Sequence, residues 1–441
     1  MLVYATLGAY IILLFGIAWY VGRNEGMQEY FLNARRSSSW LLALSHTATL
    51  VGAGATVAVV AEVSRTGISY ALALVIAFLI GALIMAWLAP RIHALSSNGV
   101  YSIPDVIARF ADRKTVLVAT IVQLLLLLVW TAVGAVALGS LAAVLTDLPY
   151  ALALLIIAAV TITYTAVGGL KIDIITDAIQ SVIIFGVFIM LAILTWTKGW
   201  TPAALASAVP SSHWNLFAFG GVAWSVGAVV LGGLIYLGNT SYWQRIFSAR
   251  DEQTARRSFL YALPLLALAA FMMIYLGFVA TASATVGDQA LFVVMAQHLP
   301  PVLLGLGYAA ILAVVMSTVD SLLVAGTAVM HRFVKGGLGR ARLTTAVMGM
   351  LGFGLAFLVP DIVALSLLTS YLVLVFAPPL LAILFRKRIS RHAIFASLAV
   401  PTLVVVSLFW FLPTTVFLIS TGLGVLIVLG YDSVFVNAHR G

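Results

Sequence analysis

Long apolar runs follow one another almost without pause along this chain, and each is close to the ~20 residues that a helix needs to cross a bilayer. They lie near 2–22, 39–63, 67–90, 115–145, 149–167, 172–197, 219–243, 258–283, 301–330, 343–360, 362–385, 393–411 and 413–430. Only 8% of the residues are charged and mean hydropathy is +1.15, against about 25% charged in ordinary soluble domains. Lipid is therefore the solvent for most of the chain. The expected fold is an all-α membrane protein of about thirteen transmembrane helices in one domain. The first run lacks the basic start of a signal peptide and reads as an uncleaved span.

The basic residues orient the bundle. With the N-terminus outside, Arg23, Arg35, Arg36, Arg91, Arg109, Arg113, Lys114 and Lys171 fall on the cytoplasmic side. So do Arg245, Arg250, Arg256, Arg257, Arg332, Lys335, Arg340, Arg342, Arg386, Lys387, Arg388, Arg391 and Arg440. Of the 23 Lys and Arg only Arg65 and Lys198 are left outside, which is the positive-inside pattern. This predicts a multi-pass inner-membrane protein with a cytoplasmic C-terminus. It also explains the net charge of +9 without a nucleic-acid partner. No cysteine is present, so disulfides and thiolate metal sites are excluded. The lipid bilayer and a small-molecule solute are the implied partners, and no obligatory protein partner is inferred. Between spans, Ser102–Arg113 reads as an interfacial amphipathic helix and Thr285–Pro301 as a loop with a short outer helix at Ala290–His298.

Glycine clusters interrupt two spans. The second carries Thr49-Leu50-Val51-Gly52-Ala53-Gly54, and the seventh carries Gly232-Gly233 followed by Gly238-Asn239-Thr240-Ser241. Small residues of this kind let helices pack closely. Two clusters five helices apart also fit an inverted repeat whose broken first helices bind ligands. An extra helix at 2–22, a first repeat at 39–197, a second at 219–385 and C-terminal helices at 393–430 follow.

Three segments resemble the sodium–solute symporter family, which includes sodium–proline and sodium–glucose transporters. They are Tyr164-Thr-Ala-Val-Gly168-Gly169-Leu-Lys171 through Thr176-Asp177 to Gln180; Val315-Met316-Ser317-Thr318-Val319-Asp320-Ser321; and Tyr242-Trp243-Gln244-Arg245 with Ser248-Ala249 and Ala255-Arg256-Arg257. The resemblance implies a LeuT-like 5+5 inverted-repeat fold and sodium-coupled symport by alternating access, with Na+ as coupling ion. No enzymatic pairing of acid and base or metal ligands is present in a span. A proton-coupled or ion-independent carrier of the same fold is the alternative, and a channel is a weaker one, since pore elements do not repeat in a ring.

Sodium is a hard cation for which oxygen ligands are suited, and freed carbonyls at a helix break supply them. By resemblance the principal site uses the hydroxyls of Ser317 and Thr318 with the carbonyls of Val314, Ala48 and Val51. The family often has a serine where this chain has Gly52. Hydroxyls in membrane helices also bond back to carbonyls a turn earlier, which is the plain reading of Ser317 and Thr318 alone. A carboxylate at mid-membrane costs roughly 2.5–3.5 kcal/mol on insertion scales. Asp177 resembles a family carboxylate on the cation path, and Asp320 with Ser321 falls where some members build a second cation site. The resemblance thus implies a second or transit sodium site of Asp177, Ser317, Asp320 and Ser321. The plain alternative for Asp177 is that it meets solvent or Lys171 near the cytoplasmic end. Asp173, a turn nearer the interface, is expected to be solvated, Glu62 to sit at the outer boundary beside Arg65, and His46 to bond a neighbouring carbonyl.

For the substrate, the expected pocket residues are Gly52, Gly54, Thr56, Trp130, Asn239 and Tyr242, with Gln123 and Ser370 nearby. The resemblance likens Trp130 to an aromatic of the proline branch, Tyr242 to a gating tyrosine and Asn239 to a ligand-contacting asparagine of the sugar branch. The plain alternative is that Trp130 and Tyr242 are interface anchors. The first two core helices read Ala53-Gly54-Ala55-Thr56 and Ala71-Leu72-Ala73-Leu74, which offer few partners for sugar hydroxyls. An amino acid or monocarboxylate is favoured.

Overall fold

Lipid offers a backbone N–H or C=O no partner, so each apolar run closes its hydrogen bonds within a helix. The computed structural model describes residues 2–22, 26–97, 99–146, 148–334, 336–358, 361–385 and 389–438. Arg23, Lys335, Arg386, Lys387, Arg388 and Arg440 of the orientation argument lie outside the described residues.

The elements run α1 (Leu2–Gly22), α2 (Met27–Leu32), α3 (Ser39–Leu50), α4 (Val57–Thr66), α5 (Ile68–Ala94), α6 (Ile103–Ile107) and α7 (Arg113–Thr146). Then come α8 (Tyr150–Val167), α9 (Leu170–Thr197), α10 (Pro202–Ala208), α11 (Gly221–Gly232), α12 (Thr240–Ser248) and α13 (Glu252–Ala282). The last are α14 (Ala290–His298), α15 (Pro301–Met330), α16 (Leu338–Leu358), α17 (Ile362–Leu374), α18 (Ala377–Phe385), α19 (Arg391–Leu408) and α20 (Val416–Ala438).

Among the described residues 10 helices are long and apolar enough to cross a membrane by themselves. Of the expected spans, 39–63 is split into α3 and α4, 219–243 into α11 and α12, and the last is the shorter apolar stretch Val416–Tyr431 of α20. A further irregularity divides 362–385, where α17 stops at Leu374 and α18 restarts at Ala377. Pro378 and Pro379 lack the N–H groups that would bond back into α17. The sequence reading treated that span as continuous.

The centre of the bundle is α15, whose apolar window is wholly buried. It packs against α1, α3, α7, α9 and α16, while α3 is held between α9, α13 and α15. The expected amphipathic helix at Ser102–Arg113 shrinks to α6, and Ile103, Val106 and Ile107 are fully buried rather than lying on an interface. Asp105 explains the difference. Its carboxylate accepts from the Tyr101 N–H at 3.1 Å and the Ser102 hydroxyl at 2.7 Å, and Arg332 pairs with it at 3.4 Å. The Arg332 pair, and the Ile103 N–H donating to the Thr240 hydroxyl of α12 at 3.3 Å, tie the segment to the bundle. The short helix expected at Ala290–His298 is α14.

Candidate ion and solute site

The first break follows from its residues. α3 stops at Leu50, a single irregular turn spans Ala53–Ala55, and α4 begins at Val57. Gly52 takes an extended conformation and its carbonyl accepts the Thr56 hydroxyl at 2.8 Å. The carbonyls at the end of α3 have lost their partners one turn on, and α15 meets them with two hydroxyls. Ser317 Oγ donates to the Ala48 carbonyl at 3.1 Å and to Val314 at 2.9 Å. Thr318 Oγ1 lies 2.9 Å from the Thr49 carbonyl and 3.4 Å from that of Val314. Ala48, Val314, Ser317 and Thr318 are thus brought together. Thr49 joins them, a carbonyl that sequence reasoning passed over, while Val51 makes no hydrogen bond to either hydroxyl. All of these oxygens are neutral and buried, and each carbonyl lies within hydrogen-bond distance of one of the two hydroxyls. They suit a hard monovalent cation better than a transition metal.

Nearer the basic end lies a charged cluster. Arg245 was assigned above to a cytoplasmic loop, but α12 carries it into the bundle and it is 0% exposed. Its Nη2 is 2.8 Å from Asp173 Oδ2, 2.8 Å from Asp177 Oδ2 and 2.5 Å from Ser321 Oγ. Nε donates to Ser45 Oγ at 2.8 Å, and the Ser45 hydroxyl donates to Asp177 at 2.5 Å. Four helices (α3, α9, α12 and α15) are joined through one guanidinium. Asp173 is buried and paired, not solvated. Of the expected second-site residues, Asp177 and Ser321 share this cation. Asp320 turns toward α8 and accepts from the Thr165 hydroxyl through Oδ1. Asp177 Oδ1 and Asp320 Oδ2 take no hydrogen bond.

The second break runs from the end of α11 to the Asn239 cap of α12, whose Oδ1 accepts from the Ser241 N–H at 2.9 Å. Gln123 on α7 straps it. Its side-chain N–H donates to the Gly238 carbonyl at 2.5 Å, and its Oε1 accepts from the Thr240 hydroxyl at 2.8 Å. The Trp243 indole N–H donates to the Leu237 carbonyl at 2.7 Å.

Between the two breaks is a cavity of about 40 Å³, lined by Gly52, Gly54, Tyr70, Leu74, Phe78, Trp130, Ile235, Ser366, Thr369 and Ser370 among others. Gly52, Gly54 and Trp130 share it, so Trp130 faces the interior. Thr56, Asn239 and Tyr242 are buried elsewhere. Tyr242 packs on Tyr236 with ring centres 4.8 Å apart and is no interface anchor. His46 stacks on Phe259 at 4.1 Å, and neither ring nitrogen has a hydrogen-bond partner. The carbonyl bond expected of it is not made. Glu62 does lie beside Arg65, at 3.8 Å.

Two broken helices meeting a hydroxyl-bearing helix at mid-bundle, with a small cavity between them, define a secondary carrier of the LeuT-like inverted-repeat class. The model of the sodium:solute symporter family matches residues 30–411, and the chain belongs to that family, with Na+ as its coupling ion. A sodium/proline symporter of Staphylococcus aureus is 28% identical over 384 residues, 82% of this chain and 74% of that protein. Among solved structures, a Na+-coupled sialic acid symporter in a substrate-bound outward-open state superposes with a TM-score of 0.80 at 17% identity, covering 97% of each chain. A nucleobase–cation symport family transporter, closed around bromovinylhydantoin, gives 0.62 at 15% identity over 93% of this chain and 95% of that one. These likenesses agree with the fold expected from the two glycine clusters.

Proposed function

We propose that this symporter sits in the inner membrane with its N-terminus outside and carries a small, partly apolar solute inward with sodium. The observation that carries the reading is the meeting of the Ser317 and Thr318 hydroxyls with the carbonyls released at the end of α3. A cation there replaces hydrogen bonds with ion–oxygen contacts and ties the broken helix to α15. Val51 completes the cage if its carbonyl turns inward when the ion enters. Sodium binding thus biases the two halves of the bundle toward the arrangement that accepts solute. Each charge moving inward contributes about 2.3 kcal/mol per 100 mV, and a tenfold sodium gradient adds about 1.4 kcal/mol. One ion is enough to sustain a tenfold solute gradient.

The solute site is the cavity beside Trp130, with Thr56 drawn to it as the first break moves and Asn239 and Tyr242 as the second does. At about 40 Å³ it holds little more than water, so α5, α17 and the second break at Ile235 separate to admit a ligand. No charged side chain lines it. A carboxylate would be met by the free N–H groups at the start of α4, where the helix dipole favours an anion. An amino acid or monocarboxylate fits this better than a sugar, whose many hydroxyls would lose partners. The two repeats, 39–197 and 219–385, rock about this point. Arg245 forms the barrier on the cytoplasmic side. When it swings away, Asp177, Asp320 and Ser321 become a transit site for the departing ion, using the carboxylate oxygens that now take no bond.

The test is uptake of radiolabelled solutes into proteoliposomes, using proline, other amino acids, monocarboxylates and sugars, with and without an inward sodium gradient. Saturable, sodium-stimulated uptake confined to small carboxylates is expected. Sodium-independent uptake, or a preference for sugars, contradicts the reading.

A further inference from the structure

α14 packs against α4, α9, α13 and α15, and a histidine fastens this helix to its neighbours. His298 ends α14 and is buried. Its Nδ1 is 3.0 Å from the Val294 carbonyl and its Nε2 is 3.1 Å from the indole Nε1 of Trp200. An indole N–H only donates, so Nε2 must accept. The ring is therefore neutral, with its proton on Nδ1 and donated to Val294. Trp200 is itself fixed, because its carbonyl accepts from the Tyr275 hydroxyl of α13 at 2.8 Å, and that hydroxyl also bonds Thr195 of α9 at 3.0 Å. Lys198 closes the joint, its Nζ lying 3.2 Å from the His298 carbonyl.

A proton on Nε2 would set N–H against N–H and break the link to Trp200. No nearby group compensates. Lys198, after α9, is itself cationic. On α4, Glu62 and Arg65 engage each other, and Arg65 also pairs with Asp288 at 3.1 Å. α13 presents only the neutral Tyr275 hydroxyl, and α15 has no charged residue before Asp320. Burial outweighs the opposing hydrogen bond to the Val294 carbonyl and, with Lys198 adding to it, holds the titration of His298 below its ordinary value of 6.5.

We propose that His298 is a proton-binding site, outside the transport path, that latches α14 to the segment following α9 and releases it on acidification. The imidazole binds its proton less readily docked than free. Docking is therefore fully stabilised above the free value and is lost as pH falls through the lower docked one. Because α14 also packs on α4 and α15, release reaches both the broken first helix and the ion-site helix. On the orientation proposed above, the site reads external pH, but the latch itself does not depend on that orientation or on symport.

Amide hydrogen exchange across residues 289–299 of the purified protein tests this, measured near pH 7.5 and near pH 5 and corrected for intrinsic exchange. Faster corrected exchange at the lower pH is expected, by up to about tenfold for each pH unit separating docked and free titration. His298→Asn cannot titrate, so its protection should be the same at both values. Trp200→Phe lacks the donor and should exchange quickly at both. The proposal is overturned by equal wild-type protection at the two pH values, by an unchanged pH response in His298→Asn, or by full protection at neutral pH in Trp200→Phe.

Discussion

A Cβ added to Gly52 would overlap the hydroxyl oxygen of Thr318. The first helix break and α15 therefore touch with no room for a side chain between them. The serine that the family often carries at this position would not fit beside Thr318 as packed here. This close approach is what brings the end of α3 within reach of the two hydroxyls.

Gly52→Ala should then push the break away from α15. Overpacking of this kind costs about 1–3 kcal/mol, and the sodium concentration giving half-maximal uptake should rise about tenfold or more. Solute affinity at saturating sodium should change less. Sodium titrations of initial uptake rates check this, and an unaltered half-saturation would separate Gly52 from the ion site.

Arg245→Met should be among the most damaging substitutions in the protein. It leaves Asp173 and Asp177 buried without their cation, and breaking a buried pair from one side costs about 3–5 kcal/mol. Asp177→Asn removes one carboxylate and leaves Arg245 paired with Asp173, so it should lower stability less while still impairing ion release. Thermal unfolding in detergent should rank wild type above Asp177→Asn and Asp177→Asn above Arg245→Met.

The helices were legible because lipid forces every apolar run into the same hydrogen-bonded form. The two breaks were legible because close approach of backbone demands glycine, as Gly52 and Gly238 illustrate. The arginine cluster was missed because Arg245 falls where a span meets a basic loop, and counting charges places it in water. The signal was on another helix. Asp173 and Asp177 are one turn apart on α9, and two carboxylates on one buried face require a cation between them. The third irregularity was announced by Pro378-Pro379, which a hydropathy reading treats as ordinary apolar sequence. His46 was misjudged because a stacked ring beside Phe259 leaves no trace in local sequence.

Gln123 should set the shape of the second break. Its amide satisfies the Gly238 carbonyl and accepts from Thr240, both deep in the bundle. Gln123→Ala leaves those groups unpaired at a cost of about 1–3 kcal/mol each. Gln123→Glu keeps the acceptor and loses the donor. Solute KM should rise about tenfold or more in the alanine variant, with sodium activation less affected. Uptake kinetics at saturating sodium measure both, and a wild-type KM in Gln123→Ala would show that the strap does not shape the solute site.

Sodium dependence of uptake in the double variant Ser317→Ala, Thr318→Ala tests the ion cage most directly, with thermal unfolding as a check that the protein is folded. The account predicts wild-type folding, loss of sodium stimulation, and only the sodium-independent residue of transport. Wild-type sodium activation in that folded variant would contradict it.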